Sequence, residues 1–485
     1  MTNVRKSLAI TFAERYSVFF IQFASSLILA RLLTPQEIGV FSVGSVIVSL
    51  SHVLRDFGVS NYLIQEKDLT WNRVRAAQSM LLLTSWSLAI LLFFAAEPLA
   101  RLYREPGMSQ ILRVLSLNFI LLPFGAVTLA LLRRDMRFIS LYGINTASAL
   151  AHAITAITLA YTGFGFMSLA WAGLASVLTS TVAAIFCRQP GQPWLPGLTE
   201  LPRVLSVGSR LSSTSFLWEL GTGGPELITG RVLGFEPVGY LSRAYGAVNL
   251  VYRTLVETLQ PVMIPFFASK AREQGDLEGL FRHGLACLSA IAWPAFACLA
   301  IGAEPIILLL YGHQWNATII PLRILCVGMA ILTIANIGGS IALGMGKVQL
   351  IFKMHGIFQP LKLVAVALGA MLGLKGVVTG IVLGDTLLSV YCTYQVGRLL
   401  GTKTFDLAHS LLPSVWITLI TAVSAWMALI ASASSFVLLQ VAAISLGATV
   451  GWLIGLWVTG HILLEELSFV RNGVLHLAVP RYPSR

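Results

Sequence analysis

The sequence predicts an all-α polytopic membrane protein of fourteen transmembrane helices: two six-helix bundles related as parallel repeats, plus two C-terminal helices. Three observations carry this reading. Hydrophobic residues make up 56% of the 485 and charged residues only 11%, with mean hydropathy +0.80, against roughly 25% charged in soluble domains. Apolar runs of about 20 residues, the length that crosses a bilayer as a helix, recur along the whole chain. And "ILARLLTPQEIGVFSVG", 28 to 44, returns as "LITGRVLGFEPVGYLSRA", 227 to 244.

In order, the apolar stretches fall near 8–32, 37–55, 78–98, 109–132, 139–162, 164–187, 205–230, 236–259, 283–303, 317–344, 349–373, 375–396, 410–431 and 435–462. None has the period-2 alternation of a membrane strand, which excludes a barrel. The start, "MTNVRKSLAITFAERYSVFF", is basic, but Glu14 and Arg15 interrupt its apolar run and no small-residue cleavage site follows. It reads as a first span and not as a removable signal.

Fourteen spans put both termini on one side. With the N-terminus inside, inside segments hold about threefold more Lys and Arg than outside ones, among them Arg73, Arg75, Arg133, Arg134, Arg137, Arg471, Arg481 and Arg485. This bias accounts for most of the +12 formal charge, so nucleic-acid binding is not needed.

Two polar linkers divide the chain as six, six and two spans. "CRQPGQPWLPGLTELPR", 187 to 203, holds four prolines, and "GRLLGTKTFD" runs from 397 to 406. The predicted organisation is an N-terminal bundle over 1–190, a cytoplasmic linker over 191–204 and a second bundle over 205–398. A further cytoplasmic linker over 399–409, helices 13 and 14 over 410–463 and a cytoplasmic tail over 464–485 follow.

The opening repeat lays Arg31 on Arg231, Gly39 on Gly239 and Ser42 on Ser242. A second match, "LRVLSLNFIL" from 112 and "LRILCVGMAIL" from 322, has nearly the same offset. Because six is even, equivalent helices run the same way across the membrane, as in the parallel-repeat class of secondary transporter.

The stretches "ILARLLTPQEIGVFSV", "FGVSNYLIQEKDLT", "LLRRDMRF", "LITGRVLGFEPVGYLSRAY" and "LLYGHQWNATIIPLRIL" resemble the Wzx-type polysaccharide flippases. These form a branch of the multidrug/oligosaccharidyl-lipid/polysaccharide exporter superfamily, and the likeness is nearest to colanic-acid and succinoglycan exporters. The resemblance implies two six-helix bundles around a cavity that opens alternately to each side. It implies an undecaprenyl-diphosphate-linked oligosaccharide as substrate, flipped from cytoplasmic to periplasmic leaflet of a bacterial inner membrane. Members often carry Asp where this chain has Glu226; the charge is kept.

A charge at mid-bilayer costs at least ~2.5–3.5 kcal/mol on insertion scales, so each embedded one asks for a partner or a wet cavity. Lys362 lies twelve residues before Leu374 and Asp385 eleven after it. At 1.5 Å per residue, about 18 and 16 Å deep, a tight hairpin brings them level. Such a pair serves either as a self-neutralising structural bridge or as a cavity cation and ion-coupling site. His152 corresponds to Lys362 at the second offset, and reads either as a packed histidine or as a second basic group.

Glu219, Glu226, Arg243, Arg253 and Glu257 lie in spans 7 and 8. Arg253 and Glu257, four apart, share a helix face, and Glu226 and Arg243 are at similar depths across the hairpin. Glu14, Arg15 and Arg210 are candidates to line an inner opening for a diphosphate, which suits the forked donors of Arg, or to snorkel to the interface. Trp218, Tyr245, Tyr252 and Trp171 are candidates for stacking on sugar, with interface anchoring as the rival. Gly221, Gly223, Gly224 and Pro225 mark either a bend or close packing.

No nucleotide site is legible: in "GMGKV" Ile341 stands where a phosphate loop needs its first Gly, and Val348 replaces Ser or Thr. No metal, cofactor or catalytic motif is found, and the five cysteines lack paired spacing. The chain therefore reads as a transporter and not an enzyme. Its partners would be the lipid-linked substrate and membrane lipids, with proton or sodium coupling and a polysaccharide polymerase as further candidates. The alternatives are a drug or cation antiporter of the same superfamily and a membrane polysaccharide polymerase; the latter usually needs a large outer loop, which is not seen.

Overall fold

A computed structural model of the protein describes residues 2–193, 195–197, 200–273, 275–402 and 404–464. The side chain of Arg210 and the tail with Arg471, Arg481 and Arg485 lie outside the described residues.

Each predicted apolar stretch falls on a helix. The first, α1 (Thr2–Leu32), is separated by two residues from α2 (Pro35–Asp56). That break is set by chemistry: Thr34 Oγ1 accepts from Glu37 N while Glu37 Oε2 accepts from Thr34 N at 2.8 Å, a capping box that satisfies two orphan donors. At its far end α2 stops where Phe57 and Gly58 turn left-handed, φ 42° and 71°.

A short α3 (Val59–Gln65) precedes α4 (Trp71–Tyr103), α5 (Pro106–Arg134), α6 (Phe138–Tyr161) and α7 (Met167–Phe186). Then come α8 (Leu201–Val232), α9 (Phe235–Leu255), α10 (Gln260–Arg272), α11 (Leu277–Ile301) and α12 (Ala303–Leu310). The last five are α13 (Ile319–Gly344), α14 (Val348–Ala370), α15 (Leu374–Leu400), α16 (Thr404–Ala431) and α17 (Val437–Thr459). No strand occurs among the described residues.

Among the described residues, eleven segments are long and apolar enough to cross a membrane: α2, α4 to α7, α11, α13 with its preceding 3-10 turn, and α14 to α17. The other three long helices, α1, α8 and α9, are the more polar ones, and they carry Glu14, Arg15, Glu219, Glu226, Arg243 and Arg253. The protein is thus an all-helical, multi-span membrane protein.

The chain forms two compact units, residues 1–242 and 243–485. In the first, α5 packs on α4 and α7, α6 on α7, and the short α3 on α5. In the second, α13 packs on α11 and α15, α14 on α15, and the short α10 on α13. Among these helices the same neighbour scheme appears in both units, but it stops there: α1 packs on α6, whereas α8 packs on α2 and α4.

Side-chain hydrogen bonds pin the non-spanning parts of the first unit. The Arg134 guanidinium donates to the carbonyls of Leu63, Ile64 and Glu66 at 2.9, 3.2 and 2.7 Å. It thereby closes the C-terminal end of α3, whose last carbonyls lack helical partners. The linker after α7 lies on α4 and α5. Ser79 Oγ donates to Gly197 O at 2.7 Å, Arg75 Nε to Leu195 O at 3.2 Å, and Gln192 Nε2 to Thr128 Oγ1 at 3.1 Å.

In the second unit, α16 and α17 attach to α11 around buried Ala290, Ile417 and Leu456. Two polar bonds add to this: Ser289 Oγ to Ser414 Oγ, and Trp452 Nε1 to Ala290 O, each 2.8 Å.

Candidate functional site

Glycines set the geometry of the Lys362 pair. The turn from α14 to α15 uses Gly373 at φ 83°, a conformation open to Gly without a Cβ penalty. Beyond it, Gly376, Gly380 and Gly384 recur every fourth residue, hence on one face of α15. A Cβ on Gly376 would lie 2.0 Å from Gly369 O, and one on Gly384 2.5 Å from Lys362 Cβ. With the helices this close, Lys362 Nζ donates to Asp385 Oδ1 at 3.1 Å, and both residues are buried. On the same helix, Gln359 Nε2 and His355 Nδ1 stand 3.3 Å apart.

In the first unit, Glu226 is half-buried on α8, with its carboxylate within hydrogen-bond reach of the Ser42 and Ser242 hydroxyls. Ser42 Oγ also donates to Ser242 Oγ at 2.8 Å. Helix α8 runs unbroken through Gly221–Pro225. A Cβ on Gly223 would meet Val46 Cγ1 at 2.5 Å, so this glycine serves close packing on α2. Half-buried Glu219 and exposed Trp218 lie about two turns earlier on α8.

Arg55, at the end of α2, escaped the sequence reading. Its Nε and Nη1 are buried without a hydrogen-bond partner, and its Nη2 lies 3.8 Å from Asp56 Oδ1. A guanidinium with two unpaired, desolvated nitrogens is poised for an anion, since an unmade buried bond to a charged group is costly. Only the "RD" beside the end of span 2 hinted at it. One turn earlier, His52 stacks on Phe119 with centroids 4.7 Å apart.

The other predicted residues separate. Glu14 on α1 accepts from Asn145 Nδ2 on α6, whereas Arg15 is exposed and His152 is half-buried. Glu226 belongs to the first unit and Arg243 to the second. The Arg243 guanidinium lies 5.7 and 5.6 Å from the ring centroids of Tyr311 and Trp315, a cation–π arrangement. Arg253 Nε is 3.8 Å from Glu257 Oε2 and largely exposed, so that ion pair contributes little. Tyr252 is buried, its hydroxyl accepting from Asn336 Nδ2 at 3.1 Å, and Tyr245 is half-buried. Trp171 lines an apolar groove with Thr155, Leu159, Phe164 and Leu178 on α6 and α7. Among the described residues, no three His, Cys, Asp or Glu side chains gather as metal ligands.

A profile of the family described as polysaccharide biosynthesis protein matches residues 28–320. The chain belongs to this family. As a member of it, the chain is 25% identical over 406 residues to the lipopolysaccharide biosynthesis protein WzxC of Escherichia coli (strain K12), covering 82% of this chain and 81% of that one. It is also 25% identical over 336 residues to the succinoglycan biosynthesis transport protein ExoT of Rhizobium meliloti (strain 1021), covering 68% and 67%.

Its fold is that of the lipid II flippase MurJ in an inward closed conformation: TM-score 0.75 at 13% identity, covering 93% of this chain and 99% of that one. An inward-facing multidrug resistance MATE family transporter of the MOP superfamily matches with TM-score 0.66 at 16% identity, over 78% and 94%. The chain is thus similar to polysaccharide-biosynthesis proteins in sequence, and to the MurJ and MATE transporters in fold.

Proposed function

We propose that the chain flips undecaprenyl-diphosphate-linked oligosaccharide repeat units from the cytoplasmic to the periplasmic leaflet of a bacterial inner membrane, by alternating access, for surface or secreted polysaccharide synthesis. The observation that carries this is the joining, in one chain, of a polysaccharide-biosynthesis sequence with a fold shared along 93% of its length with a lipid-carrier flippase. A drug or cation antiporter is the second reading, favoured less because the MATE transporter covers only 78% of the chain.

The polarity of α1, α8 and α9 supports the same reading. Helices that lipid alone would not solvate need a wet or protein-lined environment, and an amphiphile with a diphosphate and a sugar chain needs a polar path. In this proposal all fourteen long helices span, with both termini cytoplasmic, in bundles of six and six and a final pair. Arg55, Arg15 and Arg210 receive the diphosphate near the cytoplasmic ends of their helices. Glu219, Glu226, Trp218 and Tyr245 face the glycan, while Arg243 is held by its aromatic neighbours. Lys362 and Asp385 form a structural pair that neutralises itself. Transport is secondary, driven by a proton or sodium gradient or by a polymerase that consumes the flipped unit.

A deletion strain tests this reading. Lipid-linked repeat units should accumulate on the cytoplasmic leaflet; repeat units accessible at the periplasmic face in that strain would overturn it.

A further inference from the structure

One turn of backbone is built twice in this chain, once in each unit. Between α5 and α6, Asp135, Met136 and Arg137 have φ −85°, 54° and −80°. Between α13 and α14, the residues 210 positions on, Met345, Gly346 and Lys347, have φ −78°, 74° and −81°. The hydrogen bonds match as well. Met136 N donates to Arg133 O at 3.1 Å and Arg137 N to Leu132 O at 2.9 Å; Gly346 N donates to Leu343 O at 2.9 Å and Lys347 N to Ala342 O at 2.8 Å. Glycine takes the left-handed φ without penalty, whereas a Cβ there crowds the following carbonyl. The second unit uses glycine. The first unit keeps a methionine in the strained position, and its side chain is 56% exposed.

The surroundings give that methionine a purpose. Arg133 and Arg137 are exposed on either side of it, and neither guanidinium makes an ion pair or a side-chain hydrogen bond among the described residues. Asp135 turns to the linker, its carboxylate accepting from Gln189 Nε2. Buried Leu132, Leu141, Ile144 and Ala184 join the ends of α5, α6 and α7 here. At the same corner Ile139 and Phe186 are 64% and 85% exposed. Uncommitted arginines beside uncovered apolar side chains, at the end of membrane-crossing helices, complement an anionic headgroup attached to hydrocarbon.

We propose that this corner binds an anionic phospholipid of the cytoplasmic leaflet, with the phosphate on Arg133 and Arg137 and one acyl chain over Ile139 and Phe186. The leaflet rests on the orientation given under Proposed function; the binding does not.

Each part of the lipid meets its own residues. The guanidinium forks suit the phosphodiester oxygens. Met136, with its adaptable thioether, enters the layer between headgroups and chains, which compensates the strained φ. The acyl chain then follows α7 away from the corner. Leu178, eight residues before Phe186 and about 12 Å along the helix, already belongs to the apolar groove between α6 and α7 that Thr155, Leu159 and Trp171 line. A free phosphate would use the arginines and leave the apolar side chains bare. An acidic protein segment would have no use for the groove.

The test uses purified full-length protein in detergent, with bound lipid counted by native mass spectrometry. Phosphatidylglycerol should bind about tenfold more tightly than phosphatidylcholine of the same chains. Arg133→Gln with Arg137→Gln should remove that preference, whereas Lys347→Gln in the equivalent turn should leave it in place. Equal affinity for the two lipids in the parent, a preference that survives the double substitution, or its loss with Lys347→Gln would overturn the site. Displacement of phosphatidylglycerol by equal concentrations of inorganic phosphate or polyglutamate, or by a lower concentration of undecaprenyl phosphate, would overturn the assignment to a phospholipid.

Met136→Gly separates a lipid contact from a packing role. Relieved of strain, the variant should melt at or above the parent temperature in the absence of lipid, yet bind phosphatidylglycerol more weakly by roughly threefold. A lower melting temperature or an unchanged affinity would overturn the part given to Met136. None of these measurements involves transport, so the site and the flippase reading stand or fall separately.

Discussion

Lys362 Nζ stands 3.1 Å from Asp385 Oδ1 inside the second unit, the two residues only 6% and 7% exposed. Removing one partner of a buried pair leaves an uncompensated charge and costs about 3–5 kcal/mol, whereas replacing both by apolar residues of similar volume is often neutral. Lys362→Met and Asp385→Leu should each lower the yield and melting temperature of purified protein, and the double variant should recover both along with export. A stable double variant that exports nothing would give the pair a part in transport.

Arg55 should behave otherwise, because its buried Nε and Nη1 make no bond within the described chain. Hydrogen bonds to charged groups contribute about 1.5–3 kcal/mol, so Arg55→Gln should weaken the binding of undecaprenyl diphosphate to purified protein by about 10- to 100-fold. Arg55→Lys should fall between, keeping the charge and losing the fork. Both variants should melt near the parent temperature, which calorimetry or a thermal-shift assay checks.

The linker after α7 is held to α4 by Arg75 and by Ser79, whose Oγ donates to Gly197 O at 2.7 Å and accepts from Gly197 N at 2.8 Å. Ser79→Ala removes both bonds, a local loss of about 1–3 kcal/mol. Protease cleavage within 188–197 should quicken by about tenfold, since such cleavage follows the population of the opened segment. Unchanged cleavage would show that the other linker bonds suffice.

Close approach of α14 and α15 depends on glycine at 376, where a Cβ would overlap the Gly369 carbonyl at 2.0 Å. Gly376→Val should destabilise the second unit by about 1–3 kcal/mol, the usual cost of overpacking. The measurement is the melting temperature, and an unchanged value would mean that the hairpin can splay without loss.

Much of this architecture is legible in the sequence because lipid imposes length and apolarity directly: the fourteen stretches each mark a helix, and part of the repeat appears in both units as a shared set of neighbours. The Lys362–Asp385 contact follows from counting residues on either side of Leu374, since a tight hairpin turns equal counts into equal depths. The short helices α3, α10 and α12 are too brief for an apolar run to reveal them. Arg55 was passed over because a basic residue at a span's end ordinarily reaches water, and nothing in the sequence says that it is covered. The bond between Ser42 and Ser242 was hidden for another reason: a repeat tells which residues are equivalent, not that equivalent residues meet. Helices α1 and α8 are only weakly amphipathic, so their sequences do not mark which of their polar residues turn toward the rest of the protein.

The central claim, movement of a lipid-linked glycan between leaflets, is tested most directly with purified protein in liposomes carrying a fluorescent lipid-linked repeat unit and an impermeant quencher outside. The account predicts that protein moves the inner-leaflet fraction into the quencher's reach, at a rate that rises with protein and falls with Arg55→Gln. A quenched fraction equal to that of protein-free liposomes would contradict it.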